Sequence, residues 1–385
     1  MIPAIFFTFS IISGQIIKFP IFGINGPTLL DLFVVLFSIL GSLQLKFKFK
    51  TPPLSLKIFF VFLIICLISL LMTPLHLNFS GYLFSFSYIA RLFFFLLFAL
   101  TVYSNAFSFQ KYLPEVFIYS VLGLAILGIL QLIFIPNLLF LQSSGWDPHV
   151  FRTVSTFLDP NFAGAYFSLT LFIIIDNIFR DKKNYKKPII FLGIIFIALL
   201  TTFSRSSYLM FLLGGITYSF LTKNKLSVLL YSVLFLILLL GFYLYTQLVA
   251  LPMHIDREKS ASFRLNTWQE GATLFQKSPI LGVGFNSYKF AISEYQLADG
   301  DFLKTRGASS NDSSLLFVLS TTGIVGFFAY LLFVLGVLNR SKTSDKLLFA
   351  SVSALFLHSF FANSFFYPFI LSWILLRISQ SIKNS

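Results

Sequence analysis

The sequence predicts an all-α, polytopic integral membrane protein, and three observations carry that expectation. Of its 385 residues 57% are hydrophobic and only 11% charged, and the mean hydropathy is +0.87. Charge is confined to a few short clusters, separated by apolar stretches long enough to cross a bilayer as helices. A soluble domain of this size could not hide so much apolar surface, so a soluble enzyme is excluded.

Taken in order, the apolar periodicity predicts about twelve transmembrane helices, near 3–19, 28–45, 56–74, 83–103, 112–135, 161–179, 188–204, 205–222, 226–248, 311–338, 346–362 and 365–380. The first is short, bounded by Pro3, Gly14 and Lys18. It lacks a basic leader and a small-residue cleavage site, and reads as a retained helix. The whole chain, 1–385, reads as one transmembrane domain without a soluble unit, a repeat or a low-complexity tract.

The net charge of +14 would suggest nucleic acid in a soluble protein. Here the lysines punctuate the spans. Lys46, Lys48, Lys50 and Lys57 share one loop, Arg180, Lys182, Lys183, Lys186 and Lys187 a second, Lys223 and Lys225 a third, and Arg340, Lys342 and Lys346 a fourth. With twelve spans all four fall on one side, which holds about 17 of the 28 Lys and Arg. By the positive-inside rule that side, with both termini, is cytoplasmic. The bilayer is then the partner that charge implies, and nucleic acid is not. The single cysteine, Cys66, permits no intrachain disulfide.

The opposite side carries a loop at about 136–160 and a long one at about 249–310, which reads as a large external insertion. Loops of that length are usually functional or disordered, and the aromatic content of this one argues for structure. Residues 262–277 place Arg264, Trp268 and Phe275 near one helical stripe, stopped by Ser278-Pro279. A second amphipathic stretch spans 285–296.

Known cofactor chemistry is missing from the sequence. There is no Walker loop, no dinucleotide-binding glycine fingerprint, no zinc-ligand spacing and no nucleophile elbow. His76, His149, His254 and His358 are scattered. His149 and His254 read as exposed, and His358 as packed within its helix. No cofactor and no metal is expected.

Several polar residues stand out on the non-cytoplasmic side. Arg205, in TFSRSS at the junction of two spans, opposes the positive-inside bias. It is either an ionisable group at a functional site or an interfacial, snorkelling Arg. Arg152 precedes a span in which Asp159 and Pro160 read as N-cap and first helical position. Asn161 and Gly164 there permit a polar contact or close packing. Arg264 shares its stripe with Trp268, and the plain alternative is a surface-lying amphipathic helix. Gly282 and Gly284 can nest an anion with backbone N–H groups or simply form a turn. Residues 309–314 open a span with polar groups suited to an anion. There Ser310, Asn311 or Asp312 serves as an ordinary cap in the plain reading. Arg91 interrupts an apolar run, where a structural role is the simpler reading.

These segments, taken in order, resemble the O-antigen ligase and polymerase family, of the Wzy and WaaL type. The matching pieces are STFLDPNFAG, TFSRSS, FRLNTWQEGATLFQKSPILGVGFNSY, NDSSLLFVLSTTGIVGFFAYLL and HSFFANSFFYPFILSWILL, over about 110–380. The resemblance implies transfer of a glycan from a polyprenyl-pyrophosphate carrier to a glycan acceptor, without nucleotide or metal. The setting is the outer face of the cytoplasmic (inner) membrane, and a chain-length regulator is a further partner. It implies that external arginines hold the pyrophosphate. Arg205 matches the Ser-Arg motif, Arg264 the Arg before the Trp helix, and Arg152 the Arg before the Pro-Asn helix. Guanidinium forks suit such an anion. Asn161, Trp268, Gly282, Gly284 and Asn311 complete the expected substrate-binding set. Members often carry His-Asn where this chain has Ser310-Asn311, and that His is the proposed base. Asp312 is the nearest substitute, with Glu270 and Asp301 as others.

The resulting expectation is a polymerase of lipid-linked oligosaccharide repeats. The alternatives are a ligase that transfers a finished glycan to a lipid or protein, and a transporter of lipid-linked glycan. Transporters usually show paired repeats and broken helices, neither of which this sequence displays. A cell-wall glycan polymerase of the shape-and-division type shares the design but not the motifs.

Overall fold

The computed structural model describes residues 2–19, 26–181, 184–251 and 259–381. Lys182, Lys183 and His254 lie outside them. Among the described residues there is no β-strand, only the isolated bridges Lys18–Thr28 and Asn137–Val150. The fold is an all-helical membrane bundle.

Each of the twelve expected spans falls on a helix: α1 (Ile2–Ile12), α2 (Leu29–Gln44), α3 (Leu54–Leu71), α4 (Phe79–Tyr103), α5 (Leu113–Phe134), α6 (Pro160–Arg180), α7 (Lys186–Thr201), α8 (Arg205–Thr222), α9 (Lys225–Tyr245), α13 (Ser314–Ser344), α14 (Lys346–His358) and α15 (Pro368–Ser381). Between α9 and α13 come α10 (Lys259–Lys277), α11 (Tyr288–Glu294) and α12 (Gly300–Lys304). Six helices are long and apolar enough to cross a membrane alone, and α1, α2, α14 and α15 are shorter apolar helices. The span expected at 3–19 is helical only to Ile12, and the chain then turns with Gly14 at φ 54°.

Burial separates the centre of the bundle from its lipid face. The apolar window of α6 is 78% buried, that of α9 only 22%. Leu229, Leu236 and Leu240 of α9 are exposed, an arrangement that hydrocarbon tolerates and water does not. Helix α13 packs along α3, α14 along α8, and α6 against α7 and α8. Lipid offers no hydrophobic drive between helices, so van der Waals packing must hold them. Phe supplies much of it. Phe62, Phe285, Phe317, Tyr330 and Phe366 form one cluster, with Phe285–Phe317 at 5.7 Å and Phe317–Phe366 at 5.3 Å between ring centroids. Phe285 belongs to the long loop, so that loop is anchored in the bundle.

The anchoring exposes a feature the sequence pattern hides. Helix α13 is broken at Gly323 (φ 62°, ψ −166°), contrary to the expectation of unbroken helices. The loop segment 279–284 lies in the break. Val283 N–H donates to the Ser320 carbonyl at 3.0 Å and Gly284 N–H to Thr321 at 3.1 Å. Ile324 N–H donates back to Pro279 at 2.9 Å. Non-helical backbone at membrane depth survives only where such partners satisfy it. A Cβ at Gly282 would sit 2.3 Å from the Thr321 carbonyl carbon, and one at Gly323 2.2 Å from the Ile280 carbonyl oxygen. Both positions need glycine for this approach.

Candidate functional site

The loops between α1 and α2, α5 and α6, α7 and α8, α9 and α13, and α14 and α15 converge at one end of the bundle. They enclose a cavity of about 1070 Å³. Its lining holds eight basic residues (Lys18, Arg91, Arg152, Arg205, Arg264, Lys289, Lys304 and Arg306) against four acidic ones (Asp31, Asp147, Asp159 and Asp312). That excess of cations favours an anionic ligand.

Local chemistry places each group. Helix α7 ends at Thr201, Phe203 takes φ 47°, and Ser204 caps α8 by accepting from Ser207 N–H. Arg205 is therefore the first residue of α8, exposed at the cavity wall. Arg152 braces the same turn. Its Nε donates to the Thr202 carbonyl at 2.9 Å and an η nitrogen to Phe203 at 3.4 Å. Asp159 caps α6 as expected, its Oδ1 accepting from Asn161 N–H at 2.6 Å and Phe162 N–H at 3.2 Å. Burial pushes the Asp159 carboxyl up, while those bonds and the Arg152 and Arg264 charges pull it back. Asn161 Oδ1 accepts from Ser204 Oγ at 2.8 Å, tying α6 to the Arg205 turn.

Arg264 enters the lining from α10. Asp312 enters just before α13, and Ser313, not Ser310, Asn311 or Asp312, supplies the cap of that helix by accepting from Leu316 N–H. The Asp312 carboxyl is pushed up to about 7. Burial is the largest cause, Arg264 opposes it, and the Asp147, Asp159 and Glu270 charges add to it. The helix-terminus argument alone would leave this group a fully ionised, weak base. In the structure, burial and three carboxylates outweigh the terminus. Among the three candidate bases Asp312 is the one in the cavity lining. Glu270 accepts from the Tyr288 hydroxyl at 2.8 Å, and exposed Asp301 pairs with Lys304 at 2.8 Å.

Arg152, Arg205, Arg264, Asn161 and Asp312 are thus brought together. Trp268, Gly282, Gly284 and Asn311 stand outside the lining. Gly282 N–H donates to Ser278 and Gly284 N–H to Thr321, so neither is open to an anion; these glycines serve the α13 break. Buried Asn311 donates to the Thr267 carbonyl and to the Tyr288 hydroxyl and accepts from Ser313 N–H at 2.9 Å. It holds α10 against the start of α13. Trp268 packs 6.3 Å from Phe361, itself a lining residue.

Sequence reasoning left several residues in and behind the cavity wall without a role, though His358 packs in its helix as expected. His358 is fully buried, its Nε2 3.4 Å from Ser207 Oγ and its Nδ1 2.6 Å from Ser364 Oγ. Ser207 Oγ in turn lies 3.1 Å from the Asn161 carbonyl and 3.0 Å from Ser204 Oγ, either of which accepts its one proton. A polar chain therefore runs from α14 to the Arg205 turn. His149, read as exposed, lies in the cavity wall, and exposed His76 pairs with Glu294 at 2.9 Å. Arg91, from α4, pairs with Asp31 at 2.9 Å beside the Tyr88 ring, which gives it the structural role expected. Lys18, Trp146, Lys289 and Arg306 were not singled out; each is ordinary in its own loop, and only the fold assembles them.

Residues 190–331 match the family model described as O-antigen ligase. The segment contains Arg205, Arg264 and Asp312 together with the whole long loop. The resemblance read from the motifs is borne out to that extent, and it supports an O-antigen ligase- or polymerase-type function in general and a glycan-transferring enzyme in a multi-pass membrane protein. No curated protein matches the chain.

Proposed function

We propose that this protein is a membrane glycosyltransferase that polymerises polyprenyl-pyrophosphate-linked oligosaccharide repeats into a surface polysaccharide such as O-antigen. It acts in the cytoplasmic membrane with both termini in the cytoplasm, and 249–310 is external. The observation that carries the reading is the convergence of Arg205, Arg264 and Asp312, from three distant stretches, on one cationic cavity.

In this reading Arg205 and Arg264 grip the donor pyrophosphate, and Arg152 holds the Arg205 turn in place with its remaining charge facing the same anion. The bond from the sugar anomeric carbon to the pyrophosphate oxygen breaks, and the electron pair leaves with the pyrophosphate. An acceptor hydroxyl oxygen bonds to that carbon, and its proton passes to the Asp312 carboxylate. The leaving group needs no protonation because the guanidinium groups stabilise its charge. The carrier bond supplies the free energy, so nucleotide and metal are not required. A carboxyl titrating near neutrality is suited to general-base work.

The family match also favours a second reading, a ligase that delivers a finished glycan to a lipid or protein acceptor through the same cavity. A transporter is disfavoured, because the α13 break is filled by the protein's own backbone. The experiment is gene deletion with analysis of surface glycan length and of the lipid-linked pool. Single repeats on the surface support the polymerase, and long chains stranded on the carrier support the ligase. An unchanged glycan would overturn both.

A further inference from the structure

In the same cavity, on loops other than the Arg205 turn, a second cationic group has no use in the reaction just described. Arg306 lies with its guanidinium carbon 4.4 Å from the Trp146 ring centroid, and Lys18 Nζ lies 5.0 Å from the same centroid. The three come from different loops. Arg306 is fastened by its N–H to the Gly145 carbonyl at 2.9 Å and by its Nε to Ser144 at 3.1 Å. Its η nitrogens make no hydrogen bond among the described residues, and neither cation makes an ion pair with a described carboxylate. Asp147, next to Trp146, does not compensate them.

Two half-buried like charges held together, with no ion pair to either among the described residues, repel each other and lose hydration. Lys18 registers this: burial first, then Arg306 and Arg91, bring its ammonium down to about 8, against a smaller opposing pull from Asp31. A ring face offsets part of the cost, but the arrangement remains short of negative charge. An anion that reached both groups would meet an ammonium on one side and, on the other, a pair of η N–H donors that no described residue engages. That pair suits a carboxylate or phosphate.

We propose that Lys18 and Arg306, gathered on Trp146, form a second anion subsite that takes the carboxylate or phosphate of an acidic sugar in the transferred or accepting glycan. The proposal rests on the glycan-transfer reading of this cavity and narrows it, since it makes the substrate repeat acidic. The subsite is separate from the pyrophosphate grip and positions the saccharide, so it sets specificity and not the chemical step.

Trp146 is a built-in reporter for the test. Protein in nanodiscs of phosphatidylcholine is titrated with a trisaccharide of glucuronic acid and, separately, with maltotriose, following tryptophan emission and confirming by calorimetry. The acidic trisaccharide should give a saturable change and maltotriose none. Lys18→Gln and Arg306→Gln should each weaken binding about tenfold, with Arg306→Lys intermediate. Trp146→Phe should erase the optical signal while calorimetric binding persists. Wild-type affinity in the Lys18→Gln/Arg306→Gln double variant, shown folded by its size-exclusion profile, or an equal response to maltotriose would overturn the proposal. Displacement of the trisaccharide by phosphatidylglycerol nanodiscs would assign the pair to a lipid headgroup and overturn it too. Arg205→Ala should leave this titration unchanged, so a failure of the pyrophosphate reading and a failure of the acidic-sugar subsite are told apart.

Discussion

Arg152 Nε donates to the Thr202 carbonyl oxygen at 2.9 Å, which makes one arginine the brace for the turn that carries another. Carbonyls past the end of a helix have no partner within it, and the Thr202 carbonyl finds one in this guanidinium. Arg152→Lys keeps the charge but cannot span both Thr202 and Phe203. Elongation should fall by about 10–100-fold, with a stability loss of about 1 kcal/mol, the scale of a lost cap. Donor titration and thermal unfolding of the purified variant measure the two. Unchanged elongation with lowered stability would make Arg152 a cap alone.

Arg205 carries a different expectation because it is exposed at the first position of α8. Arg205→Ala should leave thermal stability within about 0.5 kcal/mol, as surface changes usually do, and abolish elongation. Arg264→Ala should do the same. Lysine at either site should recover little, since the planar fork is lost. Normal long chains from both alanine variants would remove the pyrophosphate grip from the mechanism.

Helix positions and the α6 start were legible because their signals are local. Apolar runs of bilayer length and the Asp159-Pro160 pair act within a few residues of themselves. The α13 break was not legible, because Gly323 reads as one small residue in an apolar run until residues 279–284 arrive from the far end of the long loop. The cap of α13 was misplaced because Ser310, Asn311, Asp312 and Ser313 are four adjacent polar residues, each able to cap, and only backbone geometry selects Ser313. The arginines of the cavity wall could be read from charges that defy the positive-inside bias. His358 could not, since its partner Ser207 is a distant serine, and the Lys18–Trp146–Arg306 group has no local pattern at all.

The α13 break predicts an asymmetry between two glycines and their neighbours. Gly282→Ala and Gly323→Ala both place a methyl against backbone, at φ 71° and 62°. Each should cost several kcal/mol by clash and strain. Gly193→Ala meets nothing within 4 Å and should be neutral or slightly stabilising. Thermal unfolding in detergent ranks them, and a stable, active Gly282→Ala protein would contradict the close approach.

The orientation has its own test. Cys66 is fully buried, so the parent protein should be nearly inert to an impermeant thiol reagent. Ser293→Cys, exposed on α11, should label in intact cells, and Lys186→Cys at the start of α7 should label only after permeabilisation. The reverse pattern would invert the topology and put the cavity in the cytoplasm.

Asp312 separates a base from a piece of scaffold. Ser313, not Asp312, accepts from Leu316 N–H, so Asp312→Asn should cost α13 nothing as a cap. Its carboxyl sits near 7 in the folded protein and near 3.9 in an unfolded chain. The folded state therefore binds the proton more tightly. By linkage, stability is greatest at low pH and declines as pH rises from about 4 towards about 7, levelling off above that. Asp312→Asn should remove that decline and be as stable as the wild type at pH 8 or more so. Catalysis runs the other way. Wild-type turnover in liposomes with a defined lipid-linked repeat should climb through pH 7 as the carboxylate forms. Asp312→Asn should fall by about 10²–10⁴-fold, with a flat profile and unaltered donor binding. A variant that is stable, binds donor and still turns over at the wild-type rate would strip Asp312 of its proton-accepting role.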